Sequence, residues 1–383
     1  RIWNKHKQSN TPLKRKVFVA MSGGVDSSVA AALLKKRGFK VVGVFFKPWQ
    51  PKKGVEFCNW KEDRQDALAA ASTLGIPFKT WDFSKEYKEK VGDYMIDAYR
   101  EGITPNPDVM CNKEIKFGIF LKKALAEGAD FIATGHYVRL KRTSGKLKVF
   151  KVRKVSELDK PDELYKLYTA RDSAKDQSYF LWTLTQKELK HCLFPVGDYA
   201  KPEIRKMAKK FGLPNHDKKD SQGVCFIGQL NMRDFLKYYI KPKPGKIKLL
   251  KDSEVVGEHE GVYFYTIGQR HGLNISNGQG PYYVTGKDLK KNIVYVSTNS
   301  TEDLESREVY ISDTSWVGNN PKFPGKINIK ARYRTKEIGA KISRSSKGVF
   351  KLVATTPIRA ITPGQSVVFY RGQEMLGGGV IVH

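Results

Sequence analysis

The stretch Lys16-Val17-Phe18-Val19-Ala20-Met21-Ser22-Gly23-Gly24-Val25-Asp26-Ser27-Ser28-Val29-Ala30-Ala31-Ala32-Leu33-Leu34 joins a short apolar run to an alanine-rich one through a pair of glycines. Residues 16–21 read as a strand buried on both faces. Residues 27–37 (SSVAAALLKKR) read as a helix stopped by Gly38. Between them, Gly23 and Gly24 allow a tight turn and bring bare backbone N–H groups against a ligand. The start of the helix adds partial positive charge, and the hydroxyls of Ser22, Ser27 and Ser28 add donors. Such a turn is an anion cradle suited to phosphate or pyrophosphate. The pattern G-x-x-x-x-G-K-[ST] is absent, which argues against γ-phosphoryl transfer of the kinase or GTPase kind.

Working outward, residues 40–46 (KVVGVFF) form a second buried strand, 61–74 a helix stopped by Gly75, and 77–83 a third strand. Residues 84–101 read as one long amphipathic helix, followed by a proline-rich loop, a helix over about 112–127 and a β run at 129–134. Strands separated by helices in this rhythm make an α/β fold with a doubly wound parallel sheet. Ligands of such sheets sit beyond the carboxyl ends of the strands, here at 22–28, in the loop after Phe46, and at Gly135 and His136. A β ribbon with its turn at Ser144 and Gly145 is expected over 138–169, and helices near 186–191, 202–211 and 232–240. Short alternating strands then fill 246–298 and 307–383, giving two smaller C-terminal β domains, the last a β-barrel. The expected domains are a basic arm (1–15), a catalytic domain (16–240), a small β-rich domain (241–302) and the barrel (303–383).

The chain carries 69 Lys and Arg against 39 Asp and Glu, a formal charge of +30, which points to a polyanionic partner, nucleic acid first. No apolar stretch is long enough to span a membrane. Cys58, Cys111, Cys192 and Cys225 stand far apart with no C-x-x-C pair, so neither a structural metal nor a disulfide scaffold is expected. A reducing, cytoplasmic setting fits that usage. Cys111 falls where a helix is expected to begin, and amide dipoles there favour a thiolate. Cys225 lies in S-Q-G-V-C-F-I-G (221–228), close to Lys218 and Lys219, which favour a thiolate in the same way. Cys58 and Cys192 read as small buried hydrophobes, the latter on an amphipathic helix.

The segment S-G-G-V-D-S-S after an apolar strand resembles the pyrophosphate loop of the ATP pyrophosphatase superfamily, with its adenine nucleotide hydrolase-like fold. That resemblance implies cleavage of ATP to AMP and pyrophosphate with accompanying Mg²⁺, which Asp26 would orient. Further segments narrow it: T-P-N-P-D-V-M-C-N at 104–112, A-T-G-H-Y at 133–137, K-D-Q-S-Y at 175–179, G-V-C-F-I-G at 223–228, Y-T-I-G-Q-R at 265–270, R-Y at 332–333 and P-G-Q at 363–365. From about residue 16 to the C-terminus the chain resembles the tRNA-specific 2-thiouridylase family.

The resemblance implies that Ala20, Met21, Ser22, Gly23, Gly24, Val25, Asp26, Ser27, Phe46 and Gly135 line an ATP site. Asn106, Pro107 and Asp108 would meet the target base, Asp108 as a proton-handling group. His136, Lys175, Asp176, Gln177, Arg332, Tyr333 and Gln365 would touch the tRNA at its anticodon stem-loop. Cys225 would carry a persulfide received from a sulfur donor or relay protein, with Cys111 its redox partner. Phe46 stands where family members usually show Met, and either packs on an adenine face. Whether the persulfide attacks the base directly or releases hydrosulfide first stays open. Another AMP-forming RNA modifier, such as a lysidine or 4-thiouridine synthase, would leave Cys111 and Cys225 unexplained. A non-catalytic RNA-binding protein with a dead ATP domain would not need an intact Asp26 or either cysteine.

Overall fold

The computed structural model describes residues 15–50, 60–143, 164–220, 232–299, 301–319 and 321–382. The strands β1 (Lys16–Ala20), β2 (Lys40–Lys47), β3 (Phe78–Asp82), β4 (Phe131–Ala133) and β7 (Cys192–Leu193) form one sheet in the order β3-β2-β1-β4-β7. Every pairing in it is parallel. The chain runs outward from β1 to β3 and then returns across β1 to β4. The strand order therefore reverses between β1 and β4, and a crevice opens beyond their carboxyl ends.

The period-two alternation of β1 divides the core. Val17 and Val19 face one cluster together with α1 (Val25–Lys36), α2 (Trp60–Thr73) and α8 (Lys201–Lys210), while Phe18 faces the other with Trp81 and Phe120. Ala30 and Ala31 of α1 are fully buried, and their small side chains let the helix lie close on the sheet. A fully buried Phe or Val here is worth about 1.5–3 kcal/mol.

Three local expectations change. The helix expected over 84–101 is α3 (Ser84–Tyr87), a π-helical turn Lys88–Gly92 and α4 (Asp93–Arg100). The ring of Trp49 lies so close to Gly92 that a Cβ there would stand 2.7 Å from it, and the helix widens at that point. The helix expected from residue 112 begins earlier, as α5 (Pro107–Met110), then runs as a π-helix over Cys111–Ile119 and as α6 (Phe120–Ala126). Asn106 caps it through its side chain and Pro107 supplies the pre-set first φ. Cys111 is thus one turn inside the helix, not at its start. Cys192 sits on β7 rather than on a helix, because α7 (Gln186–Leu189) ends before it and the chain then pairs with β4.

After α9 (Met232–Lys237), the strands β8 (Gly245–Leu249), β9 (Val255–His259), β10 (Tyr283–Asp288) and β11 (Ile293–Ser297) form a sheet ordered β10-β11-β8-β9. The last six strands are β12 (Glu305–Trp316), β13 (Gly325–Lys330), β14 (Ile338–Ser346), β15 (Val349–Arg359), β16 (Ser366–Arg371) and β17 (Glu374–Ile381). They close into a barrel through the pairing of β12 with β17. Glycine makes that seam possible: a Cβ on Gly377 would lie 2.1 Å from the Ser315 carbonyl, and one on Gly379 would lie 3.0 Å from the Ser312 carbonyl. The ribbon of β5 (Val138–Thr143) and β6 (Leu164–Thr169) continues the barrel sheet past β17, through Glu374↔Tyr168 and Met375↔Leu167. The barrel and the α/β domain are therefore hydrogen-bonded neighbours. The turn expected at Ser144 and Gly145, Cys58, Cys225 and the basic arm over residues 1–14 lie outside the described residues.

Candidate active site

The loop between β1 and α1 is held open. Gly24 occupies the N-cap of α1 with no side-chain cap, which leaves the amide groups of the first turn directed outward. Ser27 Oγ and Ser28 Oγ donate to the Gly24 carbonyl at 3.0 and 3.1 Å, and Ser22 N donates to Ser27 Oγ at 3.2 Å. Gly23 has φ +80°, and a Cβ on it would lie 2.3 Å from the Asp63 carbonyl of α2. On the opposite side, Asn215 Nδ2 donates to Gly23 O at 2.7 Å and to Ser28 Oγ at 3.0 Å.

Asp26 meets a cation from far along the chain. Lys201 Nζ donates to both carboxylate oxygens, at 2.7 and 2.8 Å, across a separation of 175 residues. Tyr137 Oη donates to Oδ1 at 2.8 Å. Burial first and the Asp26 charge second push the Tyr137 phenol far up, so it stays a donor. Lys201 also pairs with Asp220 at 2.8 Å, and Asp220 takes Lys175 at 2.7 Å and Arg205 at 3.1 Å. Partial burial would raise the Asp220 carboxyl, but Lys175 and Lys201 outweigh it and hold the group at about 2. Asp220 is the last described residue before the segment that carries Cys225. Lys218, expected to support that thiolate, is instead held by Asp63 and Asp66 of α2.

A second group forms around α5. Asn106 accepts from Val109 N at 3.3 Å, Asp108 lies in the first turn, and buried Cys111 has its sulfur 2.6 Å from Tyr87 Oη. Asn112 Nδ2 donates to the Phe180 carbonyl at 3.2 Å. Phe46 packs on Phe83 and Phe120 with centroids at 5.3 and 4.7 Å.

Residues 175–180 connect the two groups. Lys175 holds Asp220, Gln177 exchanges hydrogen bonds with the Tyr137 backbone, and Phe180 meets Asn112 and packs at a tilt on Tyr333 with centroids at 4.5 Å. Buried Asp176 accepts from Ala170 N and Ser178. His136 is buried against Phe117 with Thr134 Oγ1 at 2.8 Å from Nδ1, and burial, then Lys116, holds its imidazole neutral. Arg332 and Gln365 both reach protein carbonyls. Sequence reading missed Lys201 and Tyr87. Neither has a motif of its own, and only proximity in the fold marks them.

Family models match along the chain: a tRNA methyl transferase HUP domain over residues 15–229, a tRNA methyl transferase PRC-barrel domain over 233–298, and an aminomethyltransferase beta-barrel domain over 306–381. The chain is 43% identical over 375 residues to tRNA-specific 2-thiouridylase MnmA 2 of Geobacillus kaustophilus, covering 97% of this chain and 96% of that one. To tRNA-specific 2-thiouridylase MnmA of Bacillus cytotoxicus it is 44% identical over 372 residues, with 97% and 95% covered. The chain belongs to the tRNA-specific 2-thiouridylase family. Among solved structures, a 4-thiouridine synthetase–RNA complex with bound ATP aligns at a TM-score of 0.32 and 21% identity, over 56% of this chain and 46% of that one. That likeness is too slight to argue from.

In this 2-thiouridylase, Gly135 marks where the loop after β4 abuts the start of α1. A Cβ on it would lie 2.7 Å from Ser27 N and 2.9 Å from the Asp26 carbonyl carbon, both backbone atoms that cannot swing aside. Gly135→Ala is expected to weaken ATP binding about tenfold, within the ~1–3 kcal/mol cost of overpacking. Equilibrium dialysis with ATP checks this, and unchanged affinity would detach Gly135 from the nucleotide cradle.

Proposed function

We propose that this chain converts a tRNA wobble uridine to 2-thiouridine by adenylating its C2 oxygen and then delivering sulfur from a cysteine persulfide. It is a tRNA 2-thiouridylase and hence a sulfurtransferase. The observation that carries the reading is the unbroken set of contacts from Asp26 through Tyr137, Gln177 and Phe180 to Asn112, next to Cys111. It couples a phosphate cradle to a buried thiol.

A uridine C2 oxygen is a poor leaving group. Attack of that oxygen on the α-phosphate of ATP expels pyrophosphate and leaves O2 bound to AMP. The α1 amides and Lys201 face the charge that develops on the departing pyrophosphate. Mg²⁺ arriving with ATP would screen the same charge; Asp26 is the loop carboxylate that would meet it, and Lys201 holds both its oxygens here. Among the described residues, no group of three or more His, Cys, Asp or Glu side chains is placed to hold a metal ion.

In the direct order of the two, the terminal sulfur of a Cys225 persulfide then bonds to C2 and AMP departs with the oxygen. Cys111 attacks the Cys225 sulfur, the S–S bond to the transferred sulfur breaks, and a Cys111–Cys225 disulfide remains. A two-electron reductant resets it, which suits a reducing, cytoplasmic compartment. Among the described residues no helix is long and apolar enough to cross a membrane.

Asn106 and Pro107 would wall the base and Asp108 handle its proton. Extruding a base from the single-stranded anticodon loop costs little. Lys175, Gln177, Tyr333 and the neighbouring Arg334 are open enough to meet RNA, whereas buried His136 and Asp176 act through what they hold.

The test incubates the protein with tRNA, ATP and a persulfide donor, then measures nucleotides and digested nucleosides by mass spectrometry. AMP, pyrophosphate and 2-thiouridine are expected. ADP as the tRNA-dependent product, or a methylated base formed with S-adenosylmethionine and no ATP, would overturn the reading.

A further inference from the structure

Residues 102–106, which lead into Asn106, Asp108 and Cys111, are held by both β domains. Thr104 N donates to Pro363 O at 3.1 Å, and Gln365 Nε2 donates to Thr104 O at 3.0 Å and Pro105 O at 2.9 Å. From the middle domain, Lys287 Nζ donates to Gly102 O at 2.5 Å and to Tyr265 O at 2.9 Å. The packing is as close as the hydrogen bonding. A Cβ on Gly364 would stand 2.2 Å from Ile103 Cγ2, and one on Gly102 would stand 2.6 Å from Leu289 Cδ1. Arg332 joins the two β domains, donating to Ile267 O at 3.2 Å and Ala360 O at 2.7 Å.

This loop needs outside support for a chemical reason. Pro105 has no N–H, so between the end of α4 and the Asn106 cap the loop has few donors with which to anchor itself. Its carbonyls remain as handles, and side-chain donors from distant strands take them. Lys287 shows how closely those donors are enclosed: burial pushes its ammonium down to about 8.

We propose that Gln365 and Lys287 are positioning residues, which fix the backbone of residues 102–106 and thereby place Asp108 and Cys111 for reaction. The proposal rests on the thiolation reading for its reaction and differs from it in assigning Gln365 to the protein's own loop rather than to RNA. It also makes the β domains part of the catalytic apparatus, since donors from both hold the loop that leads into the helix carrying Asp108 and Cys111.

The experiment compares the full chain with Gln365→Glu, Gln365→Lys and Lys287→Met. Glutamate keeps the shape of Gln365 but turns an acceptor toward two carbonyls, while lysine restores a donor. Four quantities are read: tRNA affinity by filter binding, ATP affinity as a fold control, the single-turnover rate of 2-thiouridine formation at saturating tRNA, and the rate of Cys111 alkylation by iodoacetamide without substrates.

Gln365→Glu and Lys287→Met should cut the single-turnover rate about 10- to 100-fold, as small misplacements of reacting groups do. Affinities for tRNA and ATP should stay within about twofold. Gln365→Lys should recover most of the rate. Alkylation of Cys111 should rise in the two slow variants as its lead-in loosens, with Cys192 as the internal reference. A weakened tRNA affinity with an unchanged rate at saturation would make Gln365 an RNA contact and overturn the proposal, as would failure of Gln365→Lys to recover any rate. The alkylation arm needs no tRNA chemistry, so it still reports on the loop if the thiolation reading itself fails.

Discussion

Lys201→Met is expected to lower tRNA-dependent pyrophosphate release about 10²- to 10³-fold, the loss typical of removing one preorganised group at a developing charge. Two effects act together. The substitution removes the cation at the phosphate loop, and it leaves Asp26, which Lys201 now bridges to Asp220 at 2.7 and 2.8 Å, without its cation beside the incoming triphosphate, while Asp220 keeps only Lys175 and Arg205. Like charges there oppose ATP binding as well as pyrophosphate departure. ATP affinity should therefore fall along with the rate. Asp26→Asn separates the two effects. It keeps a polar side chain beside Lys201 and Tyr137 but removes the negative charge, so ATP binding should survive better than turnover. Pyrophosphate release and equilibrium dialysis on both variants decide the matter. Lys201→Met with normal turnover would mean that the Lys201–Asp26 pair only holds α8 to α1.

Cys111→Ser and Cys225→Ser should each cut 2-thiouridine formation by about 10³-fold or more, as expected for a group that takes part in bond-making, yet fail at different stages. Cys225→Ser cannot load the persulfide. Cys111→Ser loads it and stalls before transfer is complete. Neither cysteine belongs to the phosphate loop, so tRNA-dependent pyrophosphate release should continue in both. The position of Cys111 refines the expectation. It lies inside the helix, with Tyr87 Oη 2.6 Å from its sulfur, a contact that fixes where the sulfur sits. Tyr87→Phe should therefore slow the transfer step without preventing loading. Cys192 is the control: burial, then Glu188, pushes its thiol well up, and Sγ donates to Glu188 O at 3.1 Å, so Cys192→Ser should stay active, as should Cys58→Ser. Intact mass after loading, followed by mapping of the disulfide formed on turnover, reads every stage. Persulfide on Cys111 with Cys225 dispensable would reverse the roles.

The sequence alone determined what depends on neighbours along the chain. An apolar strand, two glycines and an alanine-rich helix are local instructions, and the loop they make between β1 and α1 stands where that reading put it, with the parallel sheet and the closing barrel around it. The helix boundaries were less legible. Residues 84–100 and 107–126 have helical composition throughout, but Trp49 against Gly92, and the Lys113 carbonyl 2.9 Å from where a Gly118 Cβ would stand, are contacts that go with π turns and leave no periodic trace. Cys192 looked helical because two residues of strand are too few to show a period.

Only the tertiary structure decided which charges and donors complete the site. Lys201 reaches Asp26 across 175 residues, and Gln365 reaches the Thr104 carbonyl across 261. In the sequence, Lys201 is one lysine among many in a chain of net charge +30, and Gln365 stands out only through a family resemblance that implies contact with tRNA. A side chain acquires such a partner only when packing brings distant strands and helices together, because hydrogen bonds and ion pairs act over a few ångströms and distance along the chain does not encode them.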